Sequence, residues 1–347
     1  MKLRIVIGLL AAATLSGCET FGYYAQAVEG HLELMADARP VASWLADPAT
    51  PPALRARLEE AQRIRAFASA KLGLPDNGSF TRYADLRRPY AVWNVFATKE
   101  FSADPVPQCF VVAGCVSYRG FYAEADARAY ALELRARGDD VFVGGVPAYS
   151  TLGWFNDPLL STFIGYPEAE LARIVFHELA HQVLYVPGDT TFNESFAVTV
   201  EREGVRRWLK ARGRERELAA FVRGQARSRD IAALIEDARA RLRSLYALPL
   251  EPRAMREGKR RVFAQMHERY EALKARWGGY TGYDRVFEGR PNNATLVAFA
   301  AYSQDVPAFE RLLAQVGGDL PRFYARVKGL AGLPPAQRKV RLAALAG

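Results

Sequence analysis

Apolar residues recur at helical spacing over two segments near the start of the chain, Tyr23 to Ala46 and Ala53 to Leu72. Pro48, Pro51 and Pro52 break the chain between them, and Leu74-Pro75-Asp76-Asn77-Gly78 reads as a turn. The pattern then changes. Ala91 to Phe101 and Phe110 to Tyr118 are runs rich in Val, Phe and Trp, which predict strands. Ala123 to Arg137 returns to helical spacing and ends at Gly138, and Val141 to Val146 predicts a further strand. Two helices follow, Pro167 to Leu184 and Phe192 to Lys210, joined by a short loop with Pro187-Gly188-Asp189. From Glu217 to Ala346 the pattern is mostly helical, with a Gly/Tyr-rich break from Gly278 to Gly289. Strands followed by a run of helices predict an α+β fold. Residues 18–347 are read as one domain: a helical part 19–73, a mixed-strand part 74–166, the helix pair 167–211 and a helical part 212–347.

The first residues have a different character. Lys2 and Arg4 make a short basic stretch, and Ile5 to Leu15 an apolar one too short to span a bilayer. Leu15-Ser16-Gly17-Cys18 follows at once. Residues 1–17 therefore read as a secretory signal. Its end resembles the lipobox of bacterial lipoproteins, in which the Cys becomes the new N-terminus and carries acyl chains. The resemblance implies lipidation of Cys18 and attachment to a membrane surface. The other reading is an ordinary secretory signal with an incidental Cys. Glu19, by resemblance to lipoprotein sorting in diderm bacteria, favours the outer membrane. No later stretch has roughly 18 uncharged apolar residues. The mature chain is thus expected in the bacterial cell envelope, facing the periplasm, without crossing the membrane.

Half of the residues are hydrophobic and 24% are charged, enough to bury a substantial core. The formal net charge of +9 falls to +7 without Lys2 and Arg4. The excess is spread as Arg along helical segments such as Arg202 to Arg216, where it alternates with Glu, the pattern of a solvated helix face. In an exported protein nucleic acid is not an expected partner, whereas an anionic membrane surface suits the charge. There are three Cys. With Cys18 assigned to lipid, Cys109 and Cys115 remain, and an oxidising compartment favours their pairing. An extended strand cannot bring its own ends together, so pairing requires a turn near Ala113-Gly114. Two unpaired buried thiols are the alternative.

His177-Glu178-Leu179-Ala180-His181 stands on the helix expected over 167–184 and holds two of the chain's four His. Four-residue spacing puts both imidazoles on one face, one turn apart, where they can chelate a single ion. Glu178, between them, is angled toward water on that ion. Ile174, Val175, Phe176, Leu179, Ala180, Val183 and Leu184 make the flanks apolar. Charged groups in such a helix are costly unless paired or metal-bound. A buried structural His-Glu pair is the competing reading. A third ligand is available on the next helix, where Glu194 and Glu201 share a face. Three protein ligands with one open position is the catalytic zinc arrangement. One Zn2+ per chain is expected, with Glu178 taking the proton of the attacking water and delivering it to the leaving amine.

Asn193-Glu194-Ser195-Phe196-Ala197 resembles the Asn-Glu-x-Phe-Ala element of the gluzincin aminopeptidases. The resemblance implies that Glu194 completes the zinc site and that Glu201 orients a ligand His through its other ring nitrogen. The connection departs from that class. Twelve residues separate His181 from Glu194 and nineteen separate it from Glu201, and the longer spacing is nearer the usual one. Glu201 therefore stays open as the direct ligand. The reading of both acids as surface residues is disfavoured by Phe196, Ala197 and Val198 beside them. More widely, Phe176 to Gln182, Gly188 to Ala197, Ala148 to Pro158 and Pro291 to Leu296 are similar to the bacterial putative aminopeptidase lipoprotein family, from about Cys18 into the C-terminal helices. This resemblance implies a zincin-like fold and a peptidase, an aminopeptidase by the family's name.

Zincins hold a peptide against an edge strand ahead of the metal helix. Tyr149 to Phe155 is the candidate, with Ser150, Thr151, Leu152, Gly153 and Trp154 offering backbone groups to substrate and Gly153 allowing close approach. An ordinary core strand or hairpin is the alternative. Tyr302 is the first choice as oxyanion stabiliser, with Tyr280, Tyr283 and Tyr149 as competitors. His267 lacks a second His at ligand spacing and reads as a surface or structural residue. Asp157, Glu168 and Asp189 are the acids available to capture a free α-amine. Two readings compete with a zinc aminopeptidase of short peptides: an envelope endopeptidase with the same chemistry, and a non-catalytic lipoprotein scaffold or chaperone.

Overall fold

The computed structural model describes residues 26–346 apart from 27, 111–113 and 288. The expected signal, Cys18 and the start of the first helix at Tyr23 lie outside the described residues. Helix α1 (28–37) leads into the short strand β1 (Arg39–Pro40) and helix α2 (Val41–Ala46). The single helix expected up to Ala46 is interrupted here. Pro40 lacks the N–H that a helix needs and drives the residue before it to extended backbone. Helix α3 (Pro52–Leu72) opens with Pro at its first position and closes on left-handed Gly73.

The strand region holds β2 (Arg82–Ala84), β3 (Val92–Thr98), β4 (Gln108–Phe110), β5 (Gly114–Val116) and β6 (Tyr118–Phe121). Helix α4 (Glu124–Ala136), β7 (Asp140–Val146), β8 (Leu159–Leu160) and the short α5 (Ser161–Ile164) follow. The strand expected from Ala91 to Phe101 ends at Thr98. The one expected from Phe110 to Tyr118 is not a single strand. Gln108–Phe110 and Gly114–Val116 pair as an antiparallel hairpin with Cys109 opposite Cys115, and the two are disulfide-bonded. Gly114, at φ +72°, sits where the chain returns. A second correction concerns Tyr149 to Phe155, which is a turn and not a strand: Leu152 and Gly153 both have positive φ, and the Trp154 N–H donates to the Thr151 carbonyl.

Strands β6, β3 and β7 form an antiparallel sheet in that order, and β1, β2 and β8 a smaller one. Side-chain alternation along β3 sends Trp93, Val95 and Ala97 to one face, where Ala127, Ala131 and Leu134 of α4 cover them. Val92, Asn94 and Phe96 take the other face. The helical half comprises α6 (Glu168–Val183), α7 (Thr190–Ala211), α8 (Glu215–Tyr246), α9 (Pro252–Arg276), α10 (Asp284–Phe287), α11 (Asn293–Ala301), α12 (Val306–Gln315), α13 (Leu320–Ala331) and α14 (Pro335–Ala346). Ala294, Val297 and Ala298 of α11 cover Phe96, while Val92 and Asn94 are left facing a cavity.

Two devices fix the frame around that cavity. Asn292 caps α11 through Thr295 and donates to the Val141 carbonyl, and Asn293 donates to the Glu100 carbonyl while accepting from Tyr246. The Pro291 to Leu296 motif thus clips α11 onto the ends of β3 and β7. Helices α6 and α7 pack closely in the main core. A Cβ on Gly204 would stand 2.7 Å from the Phe176 ring and 2.8 Å from Leu72, so only glycine allows this approach. Among the described residues no helix is long and apolar enough to cross a membrane.

Candidate active site

Helix α6 carries His177, Glu178 and His181, and α7 carries Glu194 and Glu201; all five are buried. The loop between the helices is short because Asn193 clips it: its side-chain oxygen accepts from the Val186 N–H and its amide donates to the Val186 carbonyl, both at 2.8 Å. Asp189 caps α7 by accepting from the Phe192 N–H. One turn into α7, Glu194 is therefore delivered back to the two His.

Three atoms converge. Nε2 of His177 lies 3.2 Å from Nε2 of His181 and 3.2 Å from Oε2 of Glu194, which is 3.7 Å from the His181 Nε2. Ligand atoms about 2.0–2.2 Å from a tetrahedral ion stand about 3.3–3.6 Å apart. The trio thus matches the span of one four-coordinate ion. Glu194 Oε2 and the His181 Nδ1 are also buried without a hydrogen bond. An acceptor left so is costly unless a cation takes it up. The donor set and the unsatisfied oxygen both fit zinc.

Glu201 lies behind this trio. Its Oε2 accepts from the Nδ1 of His177 at 2.8 Å, and from Arg173 at 3.3 Å. That bond fixes the ring so that Nε2 presents its lone pair to the trio. Burial pushes the His177 imidazole down, but the Glu194 and Glu201 carboxylates beside it outweigh this and raise it to about 10 when no cation shares the site. Burial pushes Glu194 up, and the two His outweigh it, leaving that carboxyl at about 2. Burial holds the Glu178 carboxyl above its usual range against the pull of both His.

The cavity over these groups has a volume of about 720 Å³. One wall is apolar: Val198 of α7, Ile231 and Ile235 of α8 and Phe299 of α11. Aromatic side chains line it elsewhere, among them Tyr118, Tyr122 and Tyr149. The disulfide hairpin contributes Phe110 and Val116 from one face while Cys109 and Cys115 lie exposed on the other. Its return at Gly114 packs on the α6–α7 loop, where an added Cβ would meet the Gly188 nitrogen at 2.9 Å.

The remaining expected residues divide. Ser150 and Leu152 line the cavity, and Ser150 donates to the Glu178 carbonyl. Thr151, Gly153 and Trp154 do not line it. Tyr302 caps the end of α11, and burial, with the charges of Glu194 and Glu178 adding to it, raises its phenol far above the usual value. Tyr283 lines the cavity near Ser228 and Arg202. Tyr149 bonds His31, and Tyr280 stacks on Arg227 at the surface. His267 is exposed on α9. The three acids named for amine capture are all engaged outside the cavity. Asp157 accepts from Thr151 and Gln182 in a buried loop anchor. Glu168 pairs with Arg212 and Arg214, and Asp189 with Arg338. Sequence reasoning missed Tyr185, which lines the cavity beside Glu194. Its place four residues after His181 in the sequence was the available signal.

Acids and imidazoles buried together at one cavity are groups that hydrolytic enzymes use, and comparison with known proteins points to a peptidase family. The family model described as "Putative aminopeptidase" matches residues 22–342, and the chain belongs to that family. No curated protein and no solved structure matches the chain.

Proposed function

We propose that the protein is a zinc peptidase of zincin-like design, an aminopeptidase acting on short peptides and anchored in the bacterial envelope through Cys18. The convergence of His177, His181 and Glu194 on one point carries this reading. These three hold the ion. A bound zinc supplies a Lewis acid and a water acidified toward neutral pH. Glu178, adjacent to one ligand and three residues from the other, takes the proton of the attacking water and returns it to the leaving amine. Tyr302, which lines the same cavity, is the residue assigned to donate its phenol to a developing oxyanion. Ser150, through its bond to the Glu178 carbonyl, holds the segment leaving β7 against the metal helix at the cavity.

The reading predicts about one zinc per chain, and peptide hydrolysis that a chelator removes and zinc restores. Metal-free protein of full activity, or zinc-loaded protein without hydrolysis across a peptide library, is the result that sinks it.

One observation favours the endopeptidase alternative. Among the described residues, the cavity's carboxylates are Glu178, Glu194 and Glu201, so none is reserved for a free α-amine. Paired substrates with free and acetylated N-termini decide between the two. A strong preference for the free amine assigns the exopeptidase, and equal rates assign the endopeptidase.

The apolar wall predicts a preference for a large apolar side chain next to the cleaved bond. Ala232 sits on that wall. Ala232→Trp fills the space and is expected to lower kcat/KM about 10- to 100-fold for Leu or Phe substrates, the value of burying such a side chain. Ala and Gly substrates should change little. Equal loss for both kinds of substrate contradicts the assignment.

A further inference from the structure

Trp154 and Phe155 are consecutive and exposed by 76% and 50%. The turn that carries them is firmly built. Buried Asp157 accepts from both the N–H and the hydroxyl of Thr151, and the Phe155 N–H donates to the Thr151 hydroxyl. A loop with such anchoring could turn its aromatics inward, yet this one holds them out. The Phe155 ring rests 4.6 Å from that of His31 on α1, whose Nδ1 bonds the Tyr149 hydroxyl. On the outward side of α1, one turn apart and flanking His31, Val28 and Leu32 are exposed by 57% and 58%. Four of the ten exposed large hydrophobics among the described residues therefore come from two segments distant in the chain, α1 and this turn, which the His31–Phe155 contact joins. A patch of this kind marks a binding surface.

We infer that Trp154, Phe155, Val28 and Leu32 form a membrane-docking patch that seats the protein in the interfacial layer of the bilayer holding its lipid anchor. The inference rests on the reading of Cys18 as the anchored residue. Val28 is ten residues beyond Cys18, a chain that spans at most about 35 Å. The patch is thus tethered close to any membrane that holds Cys18. Trp and Phe with aliphatic neighbours suit the headgroup layer, where the indole N–H stays wet and the ring is buried. Glu29 and Glu33 stand on the same helix, so docking depends on apolar burial and not on anionic lipid. The same turn gives Ser150 and Leu152 to the cavity. Docking therefore brings this edge of the cavity close to the membrane surface.

The test uses the mature chain from Cys18, coupled through that thiol to maleimide-bearing lipid in phosphatidylcholine vesicles. Cys109 and Cys115 are joined, so Cys18 is the single free thiol. With brominated acyl chains, tryptophan fluorescence should be quenched, and the quenching should be insensitive to salt. Trp154→Tyr should reduce it at least about five-fold, because Trp44, Trp93, Trp208 and Trp277 are buried or half-buried. Absent quenching, or equal quenching in that variant, overturns the inference. Two other occupants are read in solution without vesicles. A ten-fold fall in kcat/KM for a soluble peptide in Trp154→Ser/Phe155→Ser would assign the patch to substrate. Self-association that this variant abolishes would assign it to a second copy. Either result also overturns the inference. The chemical tether makes the outcome independent of acylation in cells. That reading fails separately if membrane-extracted protein carries no acyl group by mass spectrometry.

Discussion

Glu178→Gln is expected to keep about one zinc per chain and to lose about 10²- to 10⁴-fold in kcat, the usual contribution of a positioned acid–base group. The argument is geometric before it is electrostatic. Glu178 is on the helix between the two His, but its carboxylate is not among the atoms that converge on the candidate ion position. Gln preserves size and hydrogen-bonding reach and removes only the capacity to accept and return a proton. The binding steps should survive, so KM should move far less than kcat. Zinc per chain measured alongside steady-state kinetics checks both halves. If metal disappears together with activity, Glu178 belongs to the metal's coordination and the assigned proton carrier is another group. If activity stays within about ten-fold of the parent, no proton passes through Glu178.

The features legible in the sequence are those whose cause is local. Helices α6 and α7 appear within one or two residues of their expected limits, because apolar spacing and capping act over a single turn. The closeness of His177, His181 and Glu178 follows from helical geometry alone, and Glu201 joins Glu194 on one face for the same reason. Features that depend on distant partners were not legible. Asp189 and Glu168 look like free acids in the chain, yet Arg338 and the Arg212–Arg214 pair occupy them. Val111, Val112 and Ala113 carry no turn residue, so the apolar run reads as one strand, and the turn at Gly114 enters the reading only through the pairing of Cys109 with Cys115. The turn at Leu152–Gly153 misleads in the opposite way. Leu152, Trp154 and Phe155 make an apolar run that reads as part of an edge strand, and Trp154 and Phe155 are instead exposed on a turn. Apolar patterning locates a core only where the apolar residues are there to make one.

The order of the two acids on α7 separates by zinc retention. Glu194→Ala is expected to empty the site during dialysis against a mild chelator. It removes one of three ligands and the negative charge nearest the ion, leaving two His with two open positions. Glu201→Ala is expected to keep metal, with affinity or activity lowered about 10- to 100-fold. Its carboxylate touches the far side of His177, at Nδ1, and its loss frees the ring to rotate and its tautomer to change. Arg173 then loses one of its two acid partners and keeps Glu170, so the fold should survive and circular dichroism should be unchanged. Glu201→Gln supplies the discriminating control. A side-chain carbonyl still accepts from Nδ1–H, so this variant should recover much of the loss if Glu201 acts by orienting His177. A ligand role predicts no such recovery, because a neutral amide is a poor zinc ligand. Should Glu201→Ala empty the site while Glu194→Ala retains metal, the nineteen-residue connection is the true one, and α7 must slide along its axis by about two turns, roughly 10 Å, from the position it holds here.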